Sequence, residues 1–404
     1  MKKDRSLEAQ ITRIKRIKFN EKNKLITHKD ISMKKIILLL LIFLTTLIIA
    51  QTSKQPSGRE YRRSSVHNAN LVRTVYGNWG VIGQPSSGGP RGSWIYDTNG
   101  YIGDVSPMIG AEVEYYDSDG DSMKTFHSVV ICPVNRPSTG KEESSTGKKW
   151  CLEPVAGYFN ENNEKVAMST DPTSWPPYWP DKLDETDPGW PGKWNGLFGK
   201  GVFNADQESY YVMDDNNDEE FNYSSNNEWG VSFKPNSTDQ NRNGLGLEVK
   251  VRGLQWNQFL ASDVMFWLYE VTNTSTTDYS KVNFGMLCGT YVGVTGTSDD
   301  GEYDDDYSFF DVETDITYTG DYDDNCARNP KWQGDVGIVG YAFLESPGNP
   351  YDGIDNDGDN KIEAQPPNST LTFSAPTFEE ADFDTVIYDI GDFVVTIDNE
   401  YNRT

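Results

Sequence analysis

Two long stretches of this chain alternate apolar and polar residues, and this pattern constrains the fold more than any other feature. They are LGLEVKVRGLQW at 245–256 and DVMFWLYEVT at 263–272, and the apolar run VNFGMLCGTYVGV at 282–294 follows after a polar turn. Alternation with period two is typical of a β-strand with one buried face. No segment after residue 50 shows sustained helical periodicity, so the sequence predicts an all-β protein. We expect the segments 263–272 and 282–294 to form an antiparallel hairpin within a β-sandwich.

The length of the chain leaves room for more than one domain. We expect two antiparallel β-sandwich domains, of Ig-like or jelly-roll-like type, with long acidic loops. The first would span 71–200 and end in a connection rich in tryptophan and proline over 168–200. The second would span 201–346. A calcium-type loop at 347–367 and further strands at 368–404 would follow, as in a fragment of a longer protein.

The first 70 residues read as processing and linker segments. The apolar run at 36–50 follows Met33-Lys34-Lys35 and precedes a polar sequence, which is typical of an export signal over 33–50. A buried core helix is the alternative. Residues 1–32 would then be a non-native leader and 51–70 a flexible linker. This interpretation predicts a secreted or cell-surface protein without a membrane span once the signal is removed.

The charge of the chain excludes one class of partner. The 404 residues carry a net charge of −26. Residues 1–50 hold 12 Lys or Arg and 4 Asp or Glu, so their removal takes the net charge to −34. Such a chain repels nucleic acid phosphates and anionic membrane surfaces, and we expect no nucleic acid partner.

One loop has the residue pattern of a calcium site. Asp355, Asp357, Asp359 and Glu363 occupy positions one, three, five and nine of an EF-like loop, and the carbonyl of Lys361 occupies position seven. Alternate side chains of a curled loop converge, and three carboxylates without a cation would repel one another. Calcium is therefore the expected cofactor. The alternative is a solvated acidic turn.

A second loop repeats only the first part of this pattern. Asp117, Asp119 and Asp121 alternate, but no acid stands at position nine. A partial calcium site and a hairpin turn both fit this loop. The acids at 214–218 and 299–306 read as charged loops rather than sites.

Four cysteines in an exported chain indicate disulfides. Three pairings exist, and proximity in sequence favours one bond in each half of the chain. The spacing does not match a zinc ribbon. The expected pairs are Cys132 with Cys151 and Cys288 with Cys326.

Four tryptophans crowd the segment 168–200, where prolines exclude a regular sheet. Exposed rings would form a flat platform that stacks on sugars, whereas buried rings would cover the seam between the two sandwiches. Burial is favoured, since tryptophan is highly buried on average. The residues are Trp175, Trp179, Trp190 and Trp194.

Several short motifs resemble large exported β-rich bacterial surface proteins with DNDGD-type calcium loops, which are commonly cargo of the type IX secretion system. The resemblance spans most of the chain after residue 70, and it implies location and architecture rather than a reaction. The motifs are LVRT at 71–74, NWGVIG at 78–83, AMS at 167–169, ADQESYY at 205–211 and DGIDNDGD at 352–359.

The sequence thus predicts a secreted or cell-surface protein with a structural or adhesive role, a calcium-stabilised loop, and a glycan or protein partner at the cell surface. A carbohydrate-binding module of a polysaccharide-degrading system is the alternative. A glycoside hydrolase is less favoured, because no pair of carboxylates stands out among the many acids. No nucleophile elbow of the G-x-S-x-G type is present, so we expect no catalysis.

Overall fold

The protein is almost entirely β in the computed structural model, so the all-β prediction is confirmed. Helical turns of the 3-10 type occur at Arg59–Tyr61, Pro172–Ser174, Pro180–Lys182 and Phe259–Ala261. The structure describes residues 55–83, 88–116, 123–132, 151–221, 231, 233–295, 305–312, 314, 316–323, 325–326, 328–344, 386–388 and 393–395. The strands are β1 Ser64–His67, β2 Val72–Gly77, β3 Ser93–Trp94, β4 Gly100–Tyr116, β5 Met123–Ile131, β6 Glu153–Pro154, β7 Asn195–Gly196, β8 Gly199–Lys200, β9 Gln207–Asp214, β10 Leu247–Gln255, β11 Phe266–Asn273, β12 Val282–Val294, β13 Tyr307–Asp311, β14 Ile316–Gly320, β15 Val339–Ala342, β16 Val386–Tyr388 and β17 Phe393–Val395.

Two antiparallel sheets share the main apolar core. One has the strand order β11-β10-β9-β6 and the other β12-β4-β5. Alternate residues of β10, such as Val249 and Val251, are buried, and Ile109 and Val113 of β4 are buried in the same cluster. Each sheet thus turns one face inward, as the alternation in the sequence requires.

The strands β11 and β12 do not form the expected hairpin. β11 pairs with β10 in one sheet, whereas β12 pairs with β4 in the other. The rings of Tyr269 and Phe284 nevertheless meet, with centroids 5.4 Å apart. The connection after Asn273 therefore crosses from sheet to sheet. Apolar faces of two consecutive strands can be buried by pairing within a sheet or by facing across a core, and here the second arrangement is adopted.

The expectation of a flexible linker at 51–70 is wrong for its described part. β1 pairs with β2 in the register Val66↔Val75. Before β1, Arg62 binds Glu153 through two hydrogen bonds of 2.6 and 2.8 Å, and Glu153 is 1 % exposed. The polar composition of this segment hid its order, because its partners lie far away in the sequence.

The expected division into regions 71–200 and 201–346 does not coincide with a division between sheets. β4 belongs to the first region and pairs with β12 of the second, and β6 likewise pairs with β9. The described residues from Pro56 onwards belong to one compact unit. A smaller sheet, β13-β14-β15, adds to this unit.

Within the described ranges, no helix has the length and apolar character needed to cross a membrane. The leader at 1–32, the export signal at 33–50 and the loop at 347–367 lie outside the described residues.

Candidate metal centre

The sequence-predicted calcium ligands lie outside the described residues. This applies to the loop at 355–363 and to the acidic turn at 117–121. Among the acidic residues that the structure does describe, it brings together a group of three aspartates that the sequence did not single out. The residues that stay as predictions are Asp355, Asp357, Asp359, Lys361, Glu363, Asp117, Asp119 and Asp121.

Three aspartates converge at one end of the sheet β13-β14-β15. β13 and β14 are antiparallel, and Tyr307 at the start of β13 lies opposite Gly320 at the end of β14. Residues just before β13 and just after β14 therefore meet at the same edge. Carboxylate oxygens of Asp305, Asp321 and Asp323 lie within 4.8 Å of one another.

Asp321 is the buried centre of this group. It is 2 % exposed, and its Oδ1 accepts hydrogen bonds from the backbone N–H groups of Asp323 at 3.1 Å and Asn325 at 3.3 Å. Its Oδ2 accepts a weaker bond from the thiol of Cys326, at 3.6 Å. The neighbouring Asp306 accepts a bond from the N–H of Val292 at 3.0 Å, which ties this edge to β12.

The electrostatics of the group are unfavourable when all three side chains are ionised. Burial raises the pKa of Asp321, and the carboxyl groups of Asp323 and Asp305 raise it further. Two charges 4.8 Å apart repel each other by about 3 kcal/mol at an effective dielectric constant near 20, and less where water screens them. Asp305 also has a buried oxygen, Oδ1, without a hydrogen-bond partner. The group therefore has both excess negative charge and an unused acceptor.

This geometry fits a hard cation. Two oxygens that bind one calcium ion at about 2.4 Å lie at most about 4.8 Å apart, and the three carboxylates satisfy this limit. Asp323 is exposed and Asp305 half-buried, so water can complete an irregular coordination shell, which calcium tolerates better than magnesium does.

Sequence reasoning missed this group because its members come from two segments. Asp305 belongs to the stretch at 299–306 that reads as a charged loop, whereas Asp321 and Asp323 follow β14. The signal that would have found it is the pair of short strand-like runs YSFF and ITYTG between the acids, which returns the chain to its starting edge.

A second acidic segment, at 214–220, is buried rather than a solvated loop. Asp215 is 0 % exposed, pairs with the guanidinium of Arg242 at 2.5 Å, and accepts hydrogen bonds from the N–H groups of Leu245 and Leu247 at 2.7 and 2.9 Å. Its role is to join the end of β9 to the start of β10.

Two further carboxyl groups of this segment have raised pKa values. Burial raises the pKa of Glu220 to about 7, against a hydrogen bond from Ser128 that lowers it. Burial also raises the pKa of Asp218 well above its ordinary value, and Asp218 Oδ2 has no hydrogen-bond partner. Burial therefore shifts Asp218 and Glu220 towards their protonated forms, in contrast to Asp215, which pairs with a guanidinium.

The four tryptophans do not form an exposed platform. Trp179 and Trp194 are 1 % and 0 % exposed, with ring centroids 5.6 Å apart, and they pack on Tyr210 and Val212 of β9. Trp175 and Trp190 are half-buried at the margin of this cluster. The segment thus forms a second, smaller core on one sheet, and a sugar platform of four rings is excluded.

The expected disulfides are absent from the structure. All four cysteines carry thiols. This holds even though Cys151 forms an isolated backbone β-bridge with Ile131, the residue immediately before Cys132. The thiol of Cys151 contacts Glu153 at 3.9 Å, and that of Cys326 binds Asp321. The prediction of two bonds is therefore wrong. The residues concerned are Cys132, Cys151, Cys288 and Cys326.

Comparison with known proteins adds no relative: no protein-family model, curated protein or solved structure matches this chain.

Proposed function

We propose that this is a secreted or cell-surface protein with a structural or adhesive role, and that calcium holds its acidic edge together. The observation that carries the proposal is the convergence of Asp305, Asp321 and Asp323 within 4.8 Å. A cation at this point neutralises the mutual repulsion and uses the unpartnered oxygen of Asp305. The export signal at 33–50 and the resemblance to exported β-rich surface proteins, including type IX cargo, support the location.

Calcium at this edge would act mechanically rather than chemically. The cation would join the start of β13 to the turn after β14, and Asp306 extends this tie to β12 through the N–H of Val292. A surface protein that carries load gains from such a cross-link, because separating the strands requires release of the ion.

Thermal and urea unfolding of the full chain in calcium and in chelator tests this proposal. With a dissociation constant near 10⁻⁴ M, about 2 mM calcium stabilises the native state by about 1.8 kcal/mol. Identical unfolding free energies in calcium and chelator would refute the proposal.

An aspartate variant assigns the effect to this edge. Asp321→Asn keeps the shape of the side chain but removes one negative ligand, so we expect a smaller calcium effect and one site fewer by isothermal titration. Asp239→Asn is the matched control, because Asp239 is exposed and accepts an N–H from Asn241 in a similar local turn. If Asp321→Asn left the calcium effect unchanged, calcium would bind elsewhere in the chain and not at this edge.

A further inference from the structure

At its carboxyl end, the strand β4 extends beyond one of its two neighbours, β12. β12 pairs with β4 up to Val282↔Ala111, and the last backbone bond on this side runs from the N–H of Glu112 to the carbonyl of Lys281, at 3.2 Å. On its other side, β4 stays paired with β5 to the register Tyr116↔Met123. Residues 113–116 therefore have a partner strand on one side only, among the residues that the structure describes.

The backbone groups on this open side can be identified from the strand geometry. Successive residues of a strand direct their N–H and C=O groups to opposite sides. Because Glu112 directs its N–H towards β12, Glu114 and Tyr116 direct theirs to the same side, beyond the end of β12. No described strand pairs with them there. An open strand edge is a template on which another strand can pair.

A cleft lies along this open edge. Its volume is about 380 Å³, within the range of protein ligand sites. Besides β4, it is lined by Phe233, Lys234, Thr277, Asp278 and Ser280, and by Met123 of β5. The cleft thus lies beside a stretch of β4 backbone that has no partner strand on this side among the described residues, and peptide-binding sheet edges have this arrangement.

The side chains that line the cleft define the chemistry of its occupant. Glu114 and Asp278 are exposed carboxylates, whereas the only cationic group of the described lining, Lys234, donates to Asn243 at 3.0 Å. On the opposite face of β4 from Glu114, Tyr115 packs against the main core, which also contains Phe233. A strand added here would meet Glu114 and the exposed ring of Tyr116 on one face of β4, and the ring of Tyr115 on the other.

We propose that this cleft binds an extended basic peptide segment of a partner protein, which adds a strand to the edge of β4. Basic residues at alternate positions meet Glu114 and Asp278, and the apolar residues between them meet Tyr115 and Phe233. The negative net charge of the chain attracts such a segment from a distance. A neutral glycan would use the rings but gain nothing from this charge.

Fluorescence anisotropy with a labelled peptide of five lysine–valine repeats tests the proposal. The titrations use the full chain in chelator and at low salt, so that the result does not depend on a calcium site. We expect saturable binding below about 1 mM, and no binding of the same peptide with glutamate in place of lysine. Two further peptides carry N-methyl groups either on all lysines or on all valines.

The two methylated peptides distinguish strand addition from simple charge attraction. In an added strand only one of these sets of N–H groups faces β4, so one methylated peptide loses binding and the other keeps it. Removal of both carboxylates, by Glu114→Gln with Asp278→Asn, weakens binding about tenfold or more, whereas Glu164→Gln at an exposed remote site does not. Circular dichroism confirms that the variants are folded.

Three results would overturn the proposal. These are equal affinity of the two methylated peptides, equal affinity of the lysine and glutamate peptides, and absence of saturation at about 1 mM. Binding of an oligosaccharide that is lost in Tyr116→Ala, with no binding of the lysine peptide, would assign the cleft to a glycan instead.

Discussion

Replacement of Glu220 by glutamine tests how this fold accommodates a buried carboxyl group. Glu220 is 5 % exposed, and burial raises its pKa from 4.5 to about 7, although the hydrogen bond from Ser128 acts in the opposite direction. Between pH 4.5 and about 7, Glu220 keeps its proton in the native state but releases it in the unfolded state. The native state is therefore favoured below pH 4.5 and loses this stabilisation as the pH rises through about 7.

The size of the effect follows from the two pKa values of Glu220. At about pH 8, where the group is ionised in both states, the difference between 4.5 and about 7 costs the native state about 3 kcal/mol. At about pH 5 the same cost is below about 1 kcal/mol. Glutamine fills the same space and still accepts a hydrogen bond, but it cannot ionise. The variant should therefore gain about 2 to 3 kcal/mol relative to wild type between pH 5 and 8.

Urea unfolding of both proteins at the two pH values measures this difference. Glu164→Gln removes the same charge from an exposed position and should leave the free energy of unfolding within about 0.5 kcal/mol of wild type. Ser128→Ala should enlarge the pH dependence of the wild-type side chain, because the hydrogen bond of Ser128 lowers the pKa of Glu220. A Glu220→Gln variant with the same stability relative to wild type at both pH values would refute the reasoning.

Three further changes have defined outcomes in urea unfolding or chemical modification. Gly253→Ala would place a methyl group 2.6 Å from His67 Nε2 and should cost about 1 to 3 kcal/mol, whereas Gly285→Ala meets only a flexible methionine side chain and should cost less than about 1 kcal/mol. Trp194→Phe removes the indole N–H that donates to buried Glu208 at 2.8 Å and should cost about 2 kcal/mol or more. Alkylation of the urea-unfolded chain without reductant should modify all four cysteines, as mass spectrometry would show.

The sequence predicted those strands whose two faces meet different surroundings. β10 and β12 were located almost to the residue, because each alternates or concentrates apolar side chains over eight residues or more. β13 and β14 were missed. Their residues are exposed or half-buried along most of their length, and the acids around them dominate the composition. A strand without a strongly buried face leaves no period-two signal for sequence reasoning to detect.

The pattern of residues did not determine which consecutive strands pair. β4 and β5 follow each other and form a hairpin, but β11 and β12 do not. An apolar strand contributes the same burial whether its neighbour in sequence lies beside it or across the core, so the pattern of residues cannot distinguish these arrangements. The same ambiguity applies to the expected boundary near residue 200, across which β4 pairs with β12 and β6 with β9.

The buried carboxylates explain why acidic composition was a poor guide to sites in this chain. Removal of a carboxylate from water is costly, and each buried group must recover that cost by some means. Asp215 pairs with Arg242, Glu208 accepts N–H groups from its own loop and from Trp194, and Glu220 keeps its proton near neutral pH. At the Asp321 edge, three carboxylates meet and one oxygen has no hydrogen-bond partner, and these are the observations on which we propose a bound cation there. These carboxylates are distinguished by their surroundings, which three-dimensional packing creates and the order of residues does not display.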